Sequence, residues 1–133
     1  MARLKKELAK LVARERVCRV ATVGRAGAPH LVPVCHVLVD GKICFASGRD
    51  AKKVENLRAN SRIAVTIDIY SDDWSHLTGV MIQGTANLIE KGPRFRKLRQ
   101  LLYDKYPHYP QESAIGARDS IIIEVTPAHV FAW

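Results

Sequence analysis

The residues with the most chemical potential stand in FASGRDAKKVENL, residues 45–57. A strand end runs into Gly48, and the pattern becomes helical after Asp50, which is placed to be the N-cap. Ser47, Arg49, Lys52 and Lys53 crowd this corner. A helix N-terminus already carries partial positive charge, so each cation there is disfavoured by up to roughly 1 kcal/mol. The same backbone N–H groups form a ready anion site, and a bound phosphate would turn the cations from unfavourable to favourable. Ser47 adds a hydroxyl and Gly48 permits close backbone approach. The competing reading is a solvated basic helix face. No P-loop or dinucleotide-binding glycine pattern occurs, so a phosphate held here belongs to a mononucleotide-type ligand.

Three further constellations invite chemistry. His30, Cys35, His36 and Cys44, with Cys18 as a further donor, are metal-ligand types. Their spacing follows neither C-x-x-C nor H-x-x-x-H, and the adjacent Cys35 and His36 point to opposite faces of a strand, which favours packing over metal. In YSDDWSHL (70–77) two carboxylates flank Trp74. They suit a general acid beside a stacking platform, or a turn capped by Asp72 or Asp73 with Trp74 covering the core. Finally, the net charge of +8 admits nucleic acid, anionic membrane or phosphorylated small molecules as partners. The cations are spread over helices and loops, and the aromatics are not interleaved with them on one strand face, which argues against nucleic acid. No order of Ser, His, Cys and Asp specifies a nucleophilic triad.

The elements that must position these residues are legible from periodicity. Leu4, Leu8, Leu11 and Val12 mark a short amphipathic helix over 3–14. VCRVATV (17–23) alternates as a strand, GRAG (24–27) turns, and PHLVPVCHVLVD (29–40) reads as one long second strand. Pro33 in its middle demands an edge, a bulge or an opening. The dipeptide Asp40-Gly41 signals a hairpin into KICFAS (42–47). A helix to about Asn60, strands at 62–70 and 79–90, a helix at 93–106 opened by Pro93, a loop at 107–119 and a sixth strand at 120–127 follow, with AHVFAW as a tail. Six strands with few helices between them, several joined by tight turns, predict a mainly β fold: a six-stranded antiparallel barrel flanked by helices.

The 133 residues suit one domain, 1–133, with 47% apolar and 26% charged residues, a globular balance. No apolar run approaches the ~18 residues of a membrane span, and the charged MARLKKELAKLVARERV lacks a signal peptide's apolar centre. With an odd number of cysteines inside apolar runs, this predicts a soluble, cytoplasmic protein with buried, reduced thiols.

In this order, RVATVGRAGAPHLVPV (19–34), DGKICFAS (40–47) and KKVENLRANSRIAVTID (52–68) resemble the pyridoxamine 5'-phosphate oxidase-like, FMN-binding split-barrel family. YSDDWS (70–75), KYPHY (105–109) and the terminal Trp133 bring the resemblance closest to its small F420-associated branch. The resemblance implies a split β-barrel, a homodimer, and two cofactors at the subunit interface. It implies that Val32, Pro33 and Val34 offer backbone groups to the ring, and that Ala46, Ser47, Lys52 and Lys53 hold the phosphate. Trp74 and Trp133 are implied to cover the ring or the dimer cleft. The oxidase proper carries an arginine and a lysine on the strand matched to 31–36, where only His36 is basic, so the resemblance implies a substrate other than pyridoxamine phosphate. The activity implied is hydride transfer between FMN, or F420 as the alternative, and a small planar molecule. A non-catalytic flavin or haem carrier on the same barrel is the competing function.

Overall fold

A computed structural model describes residues 1–133. The chain runs α1 (Lys6–Arg14), β1 (Cys18–Val23), β2 (Pro29–Val34), β3 (His36–Val39), β4 (Lys42–Gly48), α2 (Lys52–Ala59), β5 (Arg62–Ile69), a 3-10 turn (Trp74–His76), β6 (Thr78–Ile89), α3 (Pro93–Lys105), the single-turn α4 (Tyr109–Glu112) and β7 (Ser120–Ala132). All seven strands join one antiparallel sheet in the order β2-β1-β5-β6-β7-β4-β3.

Seven strands replace the six expected because the run 29–40 breaks at Cys35. Its first half pairs with β1 and its second with β4, so β2 and β3 are the two opposite edges of the sheet. A single residue joins them, and one residue spans at most about 7 Å between its neighbours' Cα atoms. The sheet therefore curls until its edges nearly meet, which is the split of the barrel. Pro33 sits on β2, an edge strand, where a missing donor costs no central ladder bond. The Asp40-Gly41 hairpin forms as expected, with φ of 53° and 76° at the two positions, the left-handed geometry of a tight β-turn. The tail AHVFAW is no tail: it extends β7 alongside β6 to Ala132.

Strand alternation sorts the side chains onto two faces. Val20, Ile43, Phe45, Val65, Ile67, Val80, Ile82 and Ile123 fill the inside with Leu11 and Val12 of α1 and Val54 and Leu57 of α2. Opposite them on β4 and β7, Cys44 and Ile122 pack under Phe95, Leu98 and Leu102 of α3, one apolar stripe of that helix. The outer face of β1, β2, β5, β6 and the end of β7 has no helix over it. There Leu31 is 66% exposed and Phe131 52%. No helix of the protein is long and apolar enough to cross a membrane.

Candidate functional site

The corner between β4 and α2 sorts its three cations. Arg49 is fully engaged: it donates to Glu90 Oε1 at 2.7 Å, to the Glu90 carbonyl at 2.9 Å and to the Ala117 carbonyl at 2.8 Å. It fastens three loops together and is withdrawn from any anion site. Lys52 faces solvent 3.6 Å from Glu55. Lys53 is half-buried and makes neither an ion pair nor a hydrogen bond; desolvation alone holds its ammonium pKa below the usual lysine range. Asp50 is not the N-cap. That position is Ala51, and no side chain caps the helix. The positive end of the dipole and an uncompensated, partly desolvated lysine thus coincide.

Ser47 is buried, its hydroxyl donating to the Gly48 carbonyl at 3.1 Å. Alternation turns its neighbour Ala46 the other way, against the cluster under α3, so Ala46 offers the corner only its backbone.

β2 divides in the same manner. Val32 and Val34 pack against the inner core, while Pro33 faces out. Pro33 lies directly across from Arg19 on β1. The Arg19 guanidinium stands 3.8 Å from Asp68 on β5, and Asp68 in turn lies across from Gly79 on β6. Gly79 and Trp133 exchange two backbone hydrogen bonds of 3.1 Å. The Trp133 ring lies where any side chain at position 79 would be, so the glycine is its seat. Pro33, Arg19, Asp68, Gly79 and Trp133 form one diagonal row across the outer face, with Thr66 directly across from Arg19.

Trp74 does not cover the core. It is 73% exposed on a 3-10 turn capped by Asp73, whose Oδ1 accepts from the Ser75 N–H at 3.1 Å and its hydroxyl at 2.7 Å. These bonds hold the Asp73 carboxyl below the usual carboxylate range. Two grooves flank the described groups. One of about 410 Å³ lies between the β1–β2 turn and α2 and includes Lys52; one of about 690 Å³ lies on the outer face beside Ala21, Ala64 and Gln83. Neither takes in Pro33, Lys53 or Trp133.

His36 is closed to solvent chemistry. It is wholly buried, and its Nε2 lies 2.7 Å from the Val12 carbonyl, which assigns the proton to Nε2. That carbonyl belongs to the last turn of α1 and lacks a helical partner, so the ring acts as a C-terminal cap. Burial lowers the His36 pKa to about 4, leaving the ring neutral. Tyr106 of KYPHY fastens the strand break beside it: its hydroxyl accepts from the His36 N–H at 2.8 Å and faces the carbonyls of Arg16 at 2.8 Å and His36 at 2.7 Å. Cys18 and Cys44 are buried, with burial pushing each thiol to about 12, whereas Cys35, expected inside, is exposed at the break.

The family model described as pyridoxamine 5'-phosphate oxidase matches residues 4–133. The chain belongs to this family. Among its curated relatives is the 5a,11a-dehydrotetracycline/5a,11a-dehydrooxytetracycline reductase of Streptomyces rimosus, 29% identical over 120 residues, covering 86% of this chain and 72% of the relative. Among solved structures, an F420 reductase superposes with a TM-score of 0.77 at 18% identity, over 96% of this chain and 98% of its own. HutZ, the haem storage protein of Vibrio cholerae, superposes with a TM-score of 0.82 at 13% identity, over 98% and 94%. At such identities these two likenesses establish the shared fold. The chain thus stands in the pyridoxamine 5'-phosphate oxidase family with a reductase among its relatives.

Arg19, Asp68 and Tyr106 were not singled out by sequence reasoning. The signal for Arg19 was present: a charge in CRVATV at an outward position of an otherwise apolar strand.

Proposed function

We propose that this family member is an oxidoreductase that binds FMN, or F420 in its place, as a homodimer with the cofactor between subunits. The observation that carries the reading is Lys53: half-buried, without a counter-charge, at a helix N-terminus that no side chain caps. A ribityl phosphate supplies the missing anion. Lys52 adds a second cation once it swings from Glu55, and Ser47 a hydroxyl. As an edge strand, β2 leaves alternate backbone groups at Val32–Val34 free to meet a ring, with Pro33 contributing no N–H.

The bound ring supplies hydride transfer to or from a small planar substrate. The chain's task is to place it, exclude water and set its electrostatics. His36 plays no part in proton delivery, being buried and neutral. One subunit alone leaves the phosphate corner and the Pro33–Trp133 row without a common groove. A second copy laid on the exposed apolar outer face, with Leu31, Phe131 and Trp133, would enclose both and bring in Trp74. The reductase relative, named for 5a,11a-dehydrotetracycline and 5a,11a-dehydrooxytetracycline, supports reduction of a polycyclic substrate. An exposed free thiol at Cys35 suits a reducing cytoplasm.

Absorption titration of the purified protein with FMN, F420 and haem tests this. Saturable spectral change with FMN or F420, followed by substrate-dependent oxidation of the reduced form, is the expected result. Binding of haem alone would establish the carrier function instead, and binding of none of the three would defeat the oxidoreductase reading.

A further inference from the structure

We infer that Arg19, oriented by Asp68, is the residue that sets the reduction potential of the bound ring. The inference rests on the cofactor reading above.

Six of the twelve arginines of this protein donate hydrogen bonds from their side chains. Arg49 donates to Glu90 and Ala117, Arg94 to Glu124 at 2.6 Å, and Arg16 to the Lys105 carbonyl at 2.8 Å. Arg19 makes no hydrogen bond, and its one ionic contact is the 3.8 Å approach to Asp68, with both side chains about half exposed, at 50% and 46%. A pair of that exposure and length contributes about 0–1 kcal/mol, too little for stability to account for a cation at this place. Its five donors remain free for a ligand.

Position supplies the rest. Residues directly opposite on antiparallel strands have Cβ atoms about 5 Å apart on the same face, so Arg19 rises beside Pro33 of the edge strand. On its other side Thr66 lies directly across, and Asp68, two residues further along β5, lies across from Gly79, under the Trp133 ring. Arg19 is thus the cation between the two elements assigned to the ring. A guanidinium presents a planar fork that matches two adjacent acceptors, such as N1 and the C2 carbonyl oxygen at the pyrimidine end of a flavin or deazaflavin. Two-electron reduction leaves negative charge at that end. Arg19 stabilises the reduced form more than the oxidised one, and Asp68 opposes it while holding the guanidinium upright. This makes Arg19 a positioning and electrostatic residue whose effect and that of Asp68 have opposite signs.

The test is the midpoint potential of bound FMN, measured by equilibration with a reference dye, in the wild type, Arg19→Gln, Arg19→Lys and Asp68→Asn; F420 replaces FMN if only F420 binds. Arg19→Gln is expected to weaken binding of the reduced cofactor about tenfold more than the oxidised one, a fall of about 30 mV for a two-electron couple. Arg19→Lys restores most of it, and Asp68→Asn raises the potential. A merely structural role would change melting temperature or both affinities together and leave the potential in place. An unchanged potential in Arg19→Gln, or a shift of the same sign in Arg19→Gln and Asp68→Asn, overturns the inference while leaving the cofactor reading intact. Should Arg19→Gln fail to fold, Asp68→Asn decides by the sign of its shift. A wild type that binds neither cofactor overturns both.

Discussion

Lowering the pH from 7 to 5 is expected to remove roughly 2 kcal/mol of stability through His36 alone. In the unfolded chain the imidazole takes up its proton near pH 6.5, whereas burial holds it at about 4 in the fold. The native state therefore favours the neutral ring. That contribution is fully present above pH 6.5 and is lost as the pH falls toward 4, because the unfolded state binds a proton that the native state refuses. The whole gap corresponds to about 3 kcal/mol, most of it spent between pH 6.5 and 4. The ring is wholly buried, so solvent screening does not reduce the figure much. His36→Gln separates this effect from the others: glutamine can still donate to the Val12 carbonyl, which the imidazole meets at 2.7 Å, but does not titrate. Urea unfolding at pH 7 and pH 5 measures both proteins. The wild type should lose about 2 kcal/mol more over this interval than the variant. Equal losses would show that His36 is protonated in the fold at pH 5 and that the cap on α1 does not depend on a neutral ring.

Lys53→Ala should weaken FMN or F420 binding roughly 10- to 100-fold, the loss of one charge-assisted hydrogen bond, with little change in melting temperature; a fluorescence titration measures it, and unchanged affinity would move the phosphate elsewhere. Cofactor affinity should also fall at alkaline pH as Lys53 loses its proton, and earlier than for an ordinary lysine because its pKa is lowered by burial. Tyr106→Phe removes the hydroxyl shared by His36 and Arg16 and should cost about 1–3 kcal/mol in urea unfolding while leaving cofactor affinity unchanged; no loss of stability would show that the strand break holds without it. Phe131→Asp on the exposed outer face should yield a folded monomer by sedimentation that binds cofactor poorly; a dimer of unchanged strength would place the subunit interface on another face.

Local order was legible where the cause is local. The Asp40-Gly41 turn, the apolar stripe of α1 and the helix start at Pro93 follow from neighbouring residues, whereas the split barrel came from the family resemblance carried by the succession of motifs. The break at Cys35 did not, because PHLVPVCHVLV stays β-branched and apolar whichever neighbour it pairs with; the switch from β1 to β4 is a tertiary choice. Arg49 looked available beside Lys52 and Lys53 because its partners, Glu90 and Ala117, lie 41 and 68 residues away. Asp50 has the right chemistry for an N-cap, but the chain starts its helix one residue later, from Ala51. The corner around Lys53 was found from charge placement, whereas the Arg19–Asp68 row needed the register of three strands to appear.

The strand order carries a consequence for synthesis. β7 lies between β6 and β4, and is the only strand joining β2-β1-β5-β6 to β4-β3. It is also the last of the seven to be made. Until residues 120–132 leave the ribosome, the nascent chain holds two separate sheets, each with an unpaired inner edge waiting for the same partner. Such edges are templates for pairing with other chains, so the period before β7 emerges is when the two half-sheets are most exposed to aggregation.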